Sequence, residues 1–340
     1  MQAAIRAIEY HLPETVISTD QLATEFPDGD VPKIDAMTGI HLRPVAGPEE
    51  CASDLAVEAA RKLFASGVCQ PDQVDYLLLC TQTPDHFLPA TACLLQHRLG
   101  LPRDAGALDF NLGCSGYIYG LGLAQGLIES GQARHVLLLT ADTLSKFVHP
   151  RDKSARSLFG DAAAATLLVG VDEPAPRLGP FVYGTDGRGA GNLIVPTGGL
   201  RRPRTPESAV PSPDASGNLR SQDNLFMDGA EIFNFTLRVV PETIQRLLAC
   251  AGRSRDDVDL YIFHQANRYI LEHLRKRLKI PAEKFLVKMD HCGNTVSSSI
   301  PIVLQHAQAD GLLRPGALAM LVGFGVGYSW GGALVRWGPF

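Results

Sequence analysis

Two stretches decide how this chain reads: Leu63–Gln82, LFASGVCQPDQVDYLLLCTQ, and Leu247–Ala266, LLACAGRSRDDVDLYIFHQA. They align without a gap at an offset of 184 residues, with Leu63/Leu247, Ala65/Ala249, Asp72/Asp256, Val74/Val258 and Asp75/Asp259 identical. Each reads as a helix end, a polar turn and a short buried strand. At the same offset the turn Gln132–Ala133, before HVLLL, falls on Gly316–Ala317, before LAMLV. Two matches at one offset point to a duplicated α/β half. The offset also sets Cys114 opposite Ser298, so that both open a helix after a strand and a loop.

Outward from these stretches the same alternation continues. VDYLLLC (Val74–Cys80), HVLLLTA (His135–Ala141), AATLLVG (Ala164–Gly170), DLYIFH (Asp259–His264) and ALAMLVG (Ala317–Gly323) read as strands buried on both faces. Ser53–Ala65, behind a serine N-cap, and Ala230–Cys250 and Arg268–Leu278 read as helices. Such alternation predicts α/β layers rather than a sandwich or a bundle. The expected halves are residues 1–172, holding Cys114, and 173–340, holding His264 and Asn294. The Pro-, Ser- and Arg-rich segment 196–224 interrupts the second half as a long surface loop. Such a loop is either a lid or docking edge, or a tolerated insertion.

Composition narrows the functional classes. Of 340 residues, 45% are apolar and 20% charged, an ordinary globular balance that excludes wholesale disorder. A net charge of −5 argues against a general nucleic-acid binder. No stretch approaches the roughly 18 apolar residues of a membrane span, and MQAAIRAIEYHLPE lacks the apolar core of a secretory signal. The expectation is a soluble cytoplasmic protein. Seven widely spaced cysteines, with no C-x-x-C and no HExxH, support neither a disulfide framework nor a metal site.

One of those cysteines stands out as a candidate nucleophile. Cys114, in FNLGCSGYIYGL, follows a strand (Ala107–Phe110) and precedes a helix, where the positive end of the macrodipole favours thiolate. A cysteine among apolar residues is more often simply buried, so it needs partners. His264 ends the strand DLYIF, at the edge where open α/β sheets place ligands. Asn294, in DHCGNTVSSSIP, is either a functional amide or a helix N-cap. GFGVGYSWGG (Gly323–Gly332) is either a plain hairpin turn or a source of backbone N–H groups for an oxyanion. The repeat would bring these strand edges together as a Cys–His–Asn group. A papain-like protease carries such a group too, but there the Asn orients the His and the duplication has no counterpart.

With these motifs in order, the chain resembles the β-ketoacyl–acyl-carrier-protein synthase III family of condensing enzymes, in the thiolase superfamily. The likeness is carried by MTGIHLR (Met37–Arg43), PATACLLQHRLGL (Pro89–Leu101), GCSGYIYGL around Cys114 and LFGDAAAATLLV (Leu158–Val169). It continues in MDGAEIF (Met227–Phe233), HQAN (His264–Asn267), GNTVSSSIP (Gly293–Pro301) and FGVGYSWG (Phe324–Gly331). The resemblance implies a five-layer αβαβα thiolase-like fold, a homodimer, and Cys114, His264 and Asn294 as the catalytic residues. It implies an oxyanion hole from the N–H groups of Cys114 and Val326, and an acyl tunnel lined by Leu88, Gly229, Phe233 and Asn267. Cys114 would take an acyl group from acyl-CoA or an acyl-carrier protein. His264 and Asn294 would then hold the thioester oxygen of malonyl–acyl-carrier protein as carbon dioxide leaves. No metal or other cofactor is implied.

Departures from the family pattern bear on the primer. The Trp and Arg common before the TGI motif are Lys33 and Met37 here, Lys153 replaces an adenine-stacking Arg, and Leu88 replaces a Phe. A conventional CoA grip is weakened and the acyl pocket enlarged, so the expected primer is an unusual acyl-CoA or a carrier-borne acyl group. The family's carrier-docking patch maps to Arg268, Lys276 and Arg277, which are equally a solvated basic face. Two further readings stay open: an acyltransferase passing the Cys114 acyl group to an alcohol or amine, and a non-catalytic partner subunit of a condensing complex.

Overall fold

The computed structural model describes residues 1–27 and 29–338. Two mixed sheets carry it. In the first, β1 (Gln2–His11), β2 (Tyr76–Cys80), β3 (Gly106–Phe110), β4 (His135–Asp142) and β5 (Ala162–Val171) lie in the order β1-β5-β4-β2-β3. The second holds β6 (Leu178–Thr185), β7 (Leu260–Phe263), β8 (Leu318–Gly325) and β9 (Ser329–Arg336), ordered β7-β8-β9-β6. In both, one pair is parallel (β2 with β4, β7 with β8), and the two strands beyond β4 and beyond β8 join antiparallel; β3 pairs parallel with β2 at the other edge of the first sheet. A parallel bridge from Tyr261 to Phe285 stands where β3 stands in the first sheet. The two sheets therefore repeat one topology.

The helices are α1 (Thr19–Glu25), α2 (Val31–Thr38), α3 (Ala52–Ala65), α4 (Thr91–Arg98), α5 (Gly116–Glu129), α6 (Lys153–Arg156), α7 (Gly229–Ala251), α8 (Arg268–Leu278) and α9 (Ser299–Ala309). Side-chain alternation along the strands builds five layers from them. Leu77 and Leu79 of β2 face Leu55, Leu63 and Leu95 of α3 and α4 on the outside. Leu78 between them faces inward, with Ile118 of α5, Val303 of α9 and Ile262 of β7. Tyr261 and Phe263 of β7 point outward again, to Val240 of α7 and Leu274 of α8. Period-two alternation with both faces covered is why these strands are apolar throughout. The central helices are squeezed between sheets, and α5 meets this with glycine: a Cβ on Gly120 would lie 2.6 Å from Leu138.

The identical pair Asp75 and Asp259 has one physical job. Asp75 accepts the backbone N–H groups of Arg134 (2.7 Å) and His135 (2.8 Å), and Asp259 accepts that of Leu318 (2.8 Å). Each carboxylate thus pins the first residue of the neighbouring parallel strand, and so sets its register. Helix α3 starts one residue earlier than its serine suggested, because Asp54 accepts the Cys51 N–H at 2.7 Å while Ser53 accepts from Arg98. Segment 196–224 is more tied down than a plain loop. It carries a two-residue hairpin (Ser212–Pro213 with Leu219–Arg220), and Arg220 reaches back to buried Asp152 at 3.1 Å. Among the described residues no helix is long and apolar enough to cross a membrane.

Asp75→Ala and Asp259→Ala should each lower the unfolding free energy by about 0.5–1.5 kcal/mol, since each removes the acceptor of a strand-initiating N–H at a site water can reach. Denaturant midpoints would check this, and the two losses should add, because the sites share no partner.

Candidate functional site

Cys114 sits in the loop between β3 and α5, buried, one residue ahead of Ser115 at the helix N-cap. Its sulfur is met by the backbone N–H groups of Val326 and of Cys114 itself. Cys80, by contrast, gives its S–H to the Leu112 carbonyl at 2.9 Å. Burial pushes the Cys114 thiol up to about 12, the two N–H groups working against it and the Asp142 carboxyl with it. The helix end therefore does not leave a resting thiolate, contrary to the expectation from sequence. Desolvation outweighs a half-charge at the helix terminus.

The glycine-rich stretch is a hairpin between β8 and β9, and it also aims the Val326 N–H at the sulfur. Gly327 turns at φ +132°, open only to glycine. A Cβ at Gly325 would lie 2.6 Å from the Cys114 sulfur, and one at Gly323 would lie 2.8 Å from the Cys114 carbonyl oxygen. The side-chain-free end of β8 is what lets the nucleophile loop seat against it. Ser115 and Ser329 join the loop to β9 through a hydroxyl–hydroxyl bond.

His264 follows β7 and is buried, its ring edge-on to Phe324 at 5.7 Å between centroids. Phe324 neighbours Gly325, so the end of β8 touches Cys114 on one side and the imidazole on the other. Burial drives the His264 imidazole down to about 3, only weakly opposed by the Val296 carbonyl, so the ring is neutral at pH 7. Its Nδ1 lies 2.8 Å from the Ser299 hydroxyl. Asn294 is no helix cap; Ser298 holds that place for α9. Asn294 Oδ1 accepts the Val296 N–H at 3.0 Å, which fixes the amide orientation and leaves Nδ2 as a donor without a described protein partner.

The remaining expected site residues separate. Asn267 caps α8, its Oδ1 accepting from Ile270 at 2.8 Å. Phe233 packs between α7 and α8 against Tyr269 and His273, and Gly229 is exposed at the α7 start. Leu88, with Phe87, is 82% exposed rather than inside a tunnel of this chain. Lys33 is exposed on α2, Lys153 lies against Gly29 just ahead of that helix, and Arg268 covers Gly39 at its end, giving one basic rim. Lys276 and Arg277 lie in the last turn of α8, about 12 Å along the axis from Arg268. The docking residues are therefore two groups. Among the described residues no cluster of His, Cys, Asp or Glu could hold a metal ion.

Three residues of the site went unread in the sequence: Asp142, Ser297 and Ser299. Asp142 ends β4, one residue past the run read as HVLLLTA, and is fully buried. It accepts from Gln82 N–H at 2.8 Å, from Ser297 N–H at 3.3 Å and from the Ser297 hydroxyl. Burial lifts its carboxyl up to about 7 against those donors. The signals were a charge at the end of an apolar strand and the triple serine after Asn294.

Comparison with known proteins agrees along the whole chain. A family profile described as 3-oxoacyl-[acyl-carrier-protein (ACP)] synthase III matches residues 108–187, and one for its C-terminal part matches 248–337. The beta-ketoacyl-[acyl-carrier-protein] synthase III of Caldanaerobacter subterraneus subsp. tengcongensis is 36% identical over 335 residues, covering 98% of each chain. A crystal structure of a 3-oxoacyl-(acyl-carrier-protein) synthase III superposes with a TM-score of 0.98 at 57% identity, covering 99% of this chain and 100% of that one. The 3-oxoacyl-(acyl-carrier protein) synthase of Burkholderia xenovorans LB400 gives 0.90 at 40% identity, covering 100% and 95%.

Two outcomes follow from the geometry around the sulfur. Gly325→Ala should cut alkylation of Cys114 by roughly 100-fold or more while the protein stays folded, read by intact mass against circular dichroism. In the wild type, iodoacetamide labelling of Cys114 should climb about tenfold per pH unit between about pH 7 and 9. A plateau inside that range would mean a resting thiolate.

Proposed function

The chain belongs to the 3-oxoacyl-[acyl-carrier-protein] synthase III family, and from that premise we propose that it condenses an acyl primer, held first on Cys114, with malonyl–acyl-carrier protein. The products are a 3-oxoacyl thioester and carbon dioxide. The observation that carries the site-level reading is that successive residues at the end of β8 contact His264 (Phe324) and Cys114 (Gly325), with the Val326 N–H on the sulfur.

In the first half-reaction the Cys114 sulfur attacks the primer thioester. A resting thiol and a neutral imidazole keep the buried site uncharged until substrate arrives; on this reading His264, across the end of β8, takes the thiol proton and hands it to the departing primer thiolate, returning to neutral. The carbonyl oxygen of the primer then becomes anionic between the N–H groups of Cys114 and Val326, which already point at the sulfur. The primer's thiol leaves and Cys114 is acylated. In the second half, malonyl thioester loses carbon dioxide, and negative charge gathers on its thioester oxygen. Asn294 Nδ2 is a free donor for that oxygen. His264 Nε2 supplies the second in the tautomer that protonates it, reached when the Ser299 hydroxyl turns from the Val296 carbonyl to donate to Nδ1. The carbanion attacks acyl-Cys114, forms the new C–C bond and releases the thiol.

The reading extends to the substrates and the assembly. Lys33, Lys153 and Arg268 form a basic rim that suits phosphates of CoA or phosphopantetheine. Lys276 and Arg277 suit an acidic carrier protein. Leu88 is the residue expected in the acyl pocket, yet its side chain stands out in solvent on this chain. A homodimer reconciles the two, with Leu88 of one protomer closing the pocket of the other. The division into halves 1–172 and 173–340 accounts for the nucleophile and the donors coming from different sheets. Seven cysteines free of disulfides fit the reducing cytoplasm.

Variants should divide the reaction. His264→Ala and Asn294→Ala should each lower carbon dioxide release from malonyl–acyl-carrier protein by about 10²–10³, in stopped assays with loaded carrier. Cys114→Ala should form no acyl adduct. Release of carbon dioxide at the wild-type rate from the Asn294 variant would remove Asn294 from the site. Reversing Lys276 and Arg277 to Glu should raise KM for the carrier substrate with kcat held, and an unchanged KM would discard that docking patch. In a loading panel, acetyl-CoA should not be the best primer.

A further inference from the structure

The three serines after Val296 each reach a different place. Ser297 bonds through its N–H (3.3 Å) and its hydroxyl to Asp142 at the end of β4. Ser298 bonds to Thr140 of the same strand, hydroxyl to hydroxyl at 2.9 Å, and donates to the Thr140 carbonyl at 3.1 Å. Ser299 turns back into its own half, 2.8 Å from His264 Nδ1 and 3.0 Å from the Val296 carbonyl. Val296 stands at φ +52°, a left-handed conformation that a β-branched residue does not hold unaided. In that conformation its N–H reaches Asn294 Oδ1 and its carbonyl faces Ser299. One strained peptide therefore orients both donors, directly for Asn294 and through Ser299 for His264. What holds it is strand β4 of the opposite sheet.

We propose that the Asp142–Ser297 contact is the joint that sets the His264–Asn294 pair against the nucleophile, making Ser297 a positioning residue for the carbon–carbon bond-forming half-reaction rather than for loading of Cys114. The asymmetry comes from what supports each side. Cys114 is seated by Gly323, Gly325, the Val326 N–H and the Ser115–Ser329 bond, none of which involves Ser297. Asn294 and His264 depend on Val296 and Ser299, the residues bracketing Ser297 and Ser298. The carboxylate suits this task because it accepts three donors at once, tying the Gln82 N–H after β2 to the serine run. Buried as it is, it cannot exchange those donors for water.

The inference rests on the condensation reading, and the test separates the two. Full-length wild type and Ser297→Ala are loaded with the same acyl donor. Acyl-Cys114 formation is followed by mass, and carbon dioxide release from malonyl–acyl-carrier protein is followed in parallel. Ser297→Ala should load within about threefold of wild type yet release carbon dioxide about 10- to 100-fold more slowly. Ser297→Thr, which keeps the hydroxyl, should restore the wild-type ratio of the two rates. Ser297→Cys, a weaker donor of the same shape, should fall between, and it carries the test if the alanine variant does not fold. Equal loss of both rates, or loss of neither, overturns the joint. A wild type that loads but releases no carbon dioxide overturns the condensation reading itself.

Discussion

The seating of Cys114 against the side-chain-free end of β8 is the contact on which the rest of the site depends. There is no room for a Cβ at Gly325, so the sulfur lies directly over strand backbone and meets the Val326 N–H. The same strand end turns Phe324 toward His264. That approach requires the two sheets to be held at a fixed spacing, which α5 and α9 provide from the layer between them. The glycines of α5 and of β8 are thus two halves of one steric requirement: a thin central layer, and a nucleophile loop closed down on bare backbone.

Dryness is the second consequence. Cys114, His264 and Asp142 are all buried, and in each case desolvation is the largest influence on the proton. Thiol and imidazole rest uncharged, so the site avoids holding an ion pair in an apolar setting, which costs several kcal/mol per ion before compensation. The backbone N–H groups and the Asn294 amide are neutral donors in fixed positions, a preorganised arrangement that needs no rearrangement of solvent.

Much of this was legible in the amino-acid sequence. The duplicated stretches around Leu63 and Leu247 announced two matching α/β halves, and the buried strands fell where unbroken apolar runs predicted them. Asp75 and Asp259 repeat because each pins the next strand. Cys114 and His264 drew attention because one lies between a strand and a helix and the other follows a strand, whereas Asn294 lies in a loop and caps no helix. The protonation state was not legible, since desolvation depends on packing that no local pattern records. Nor were Asp142 and the serines, whose partners lie 155 and 35 residues away. Leu88 shows a different limit: its place in sequence matched a pocket position of the family pattern, while its side chain stands exposed on this chain.

The account turns on one claim, that acyl-Cys114 is consumed by a decarboxylating partner. Intact-mass spectrometry of protein loaded with a panel of acyl-CoA and acyl-carrier thioesters, then chased with malonyl–acyl-carrier protein, tests it most directly. The account predicts an adduct confined to Cys114 that disappears on the chase with one carbon dioxide released per adduct lost. An adduct that persists through the chase, or that leaves to an alcohol or amine without carbon dioxide, would contradict it.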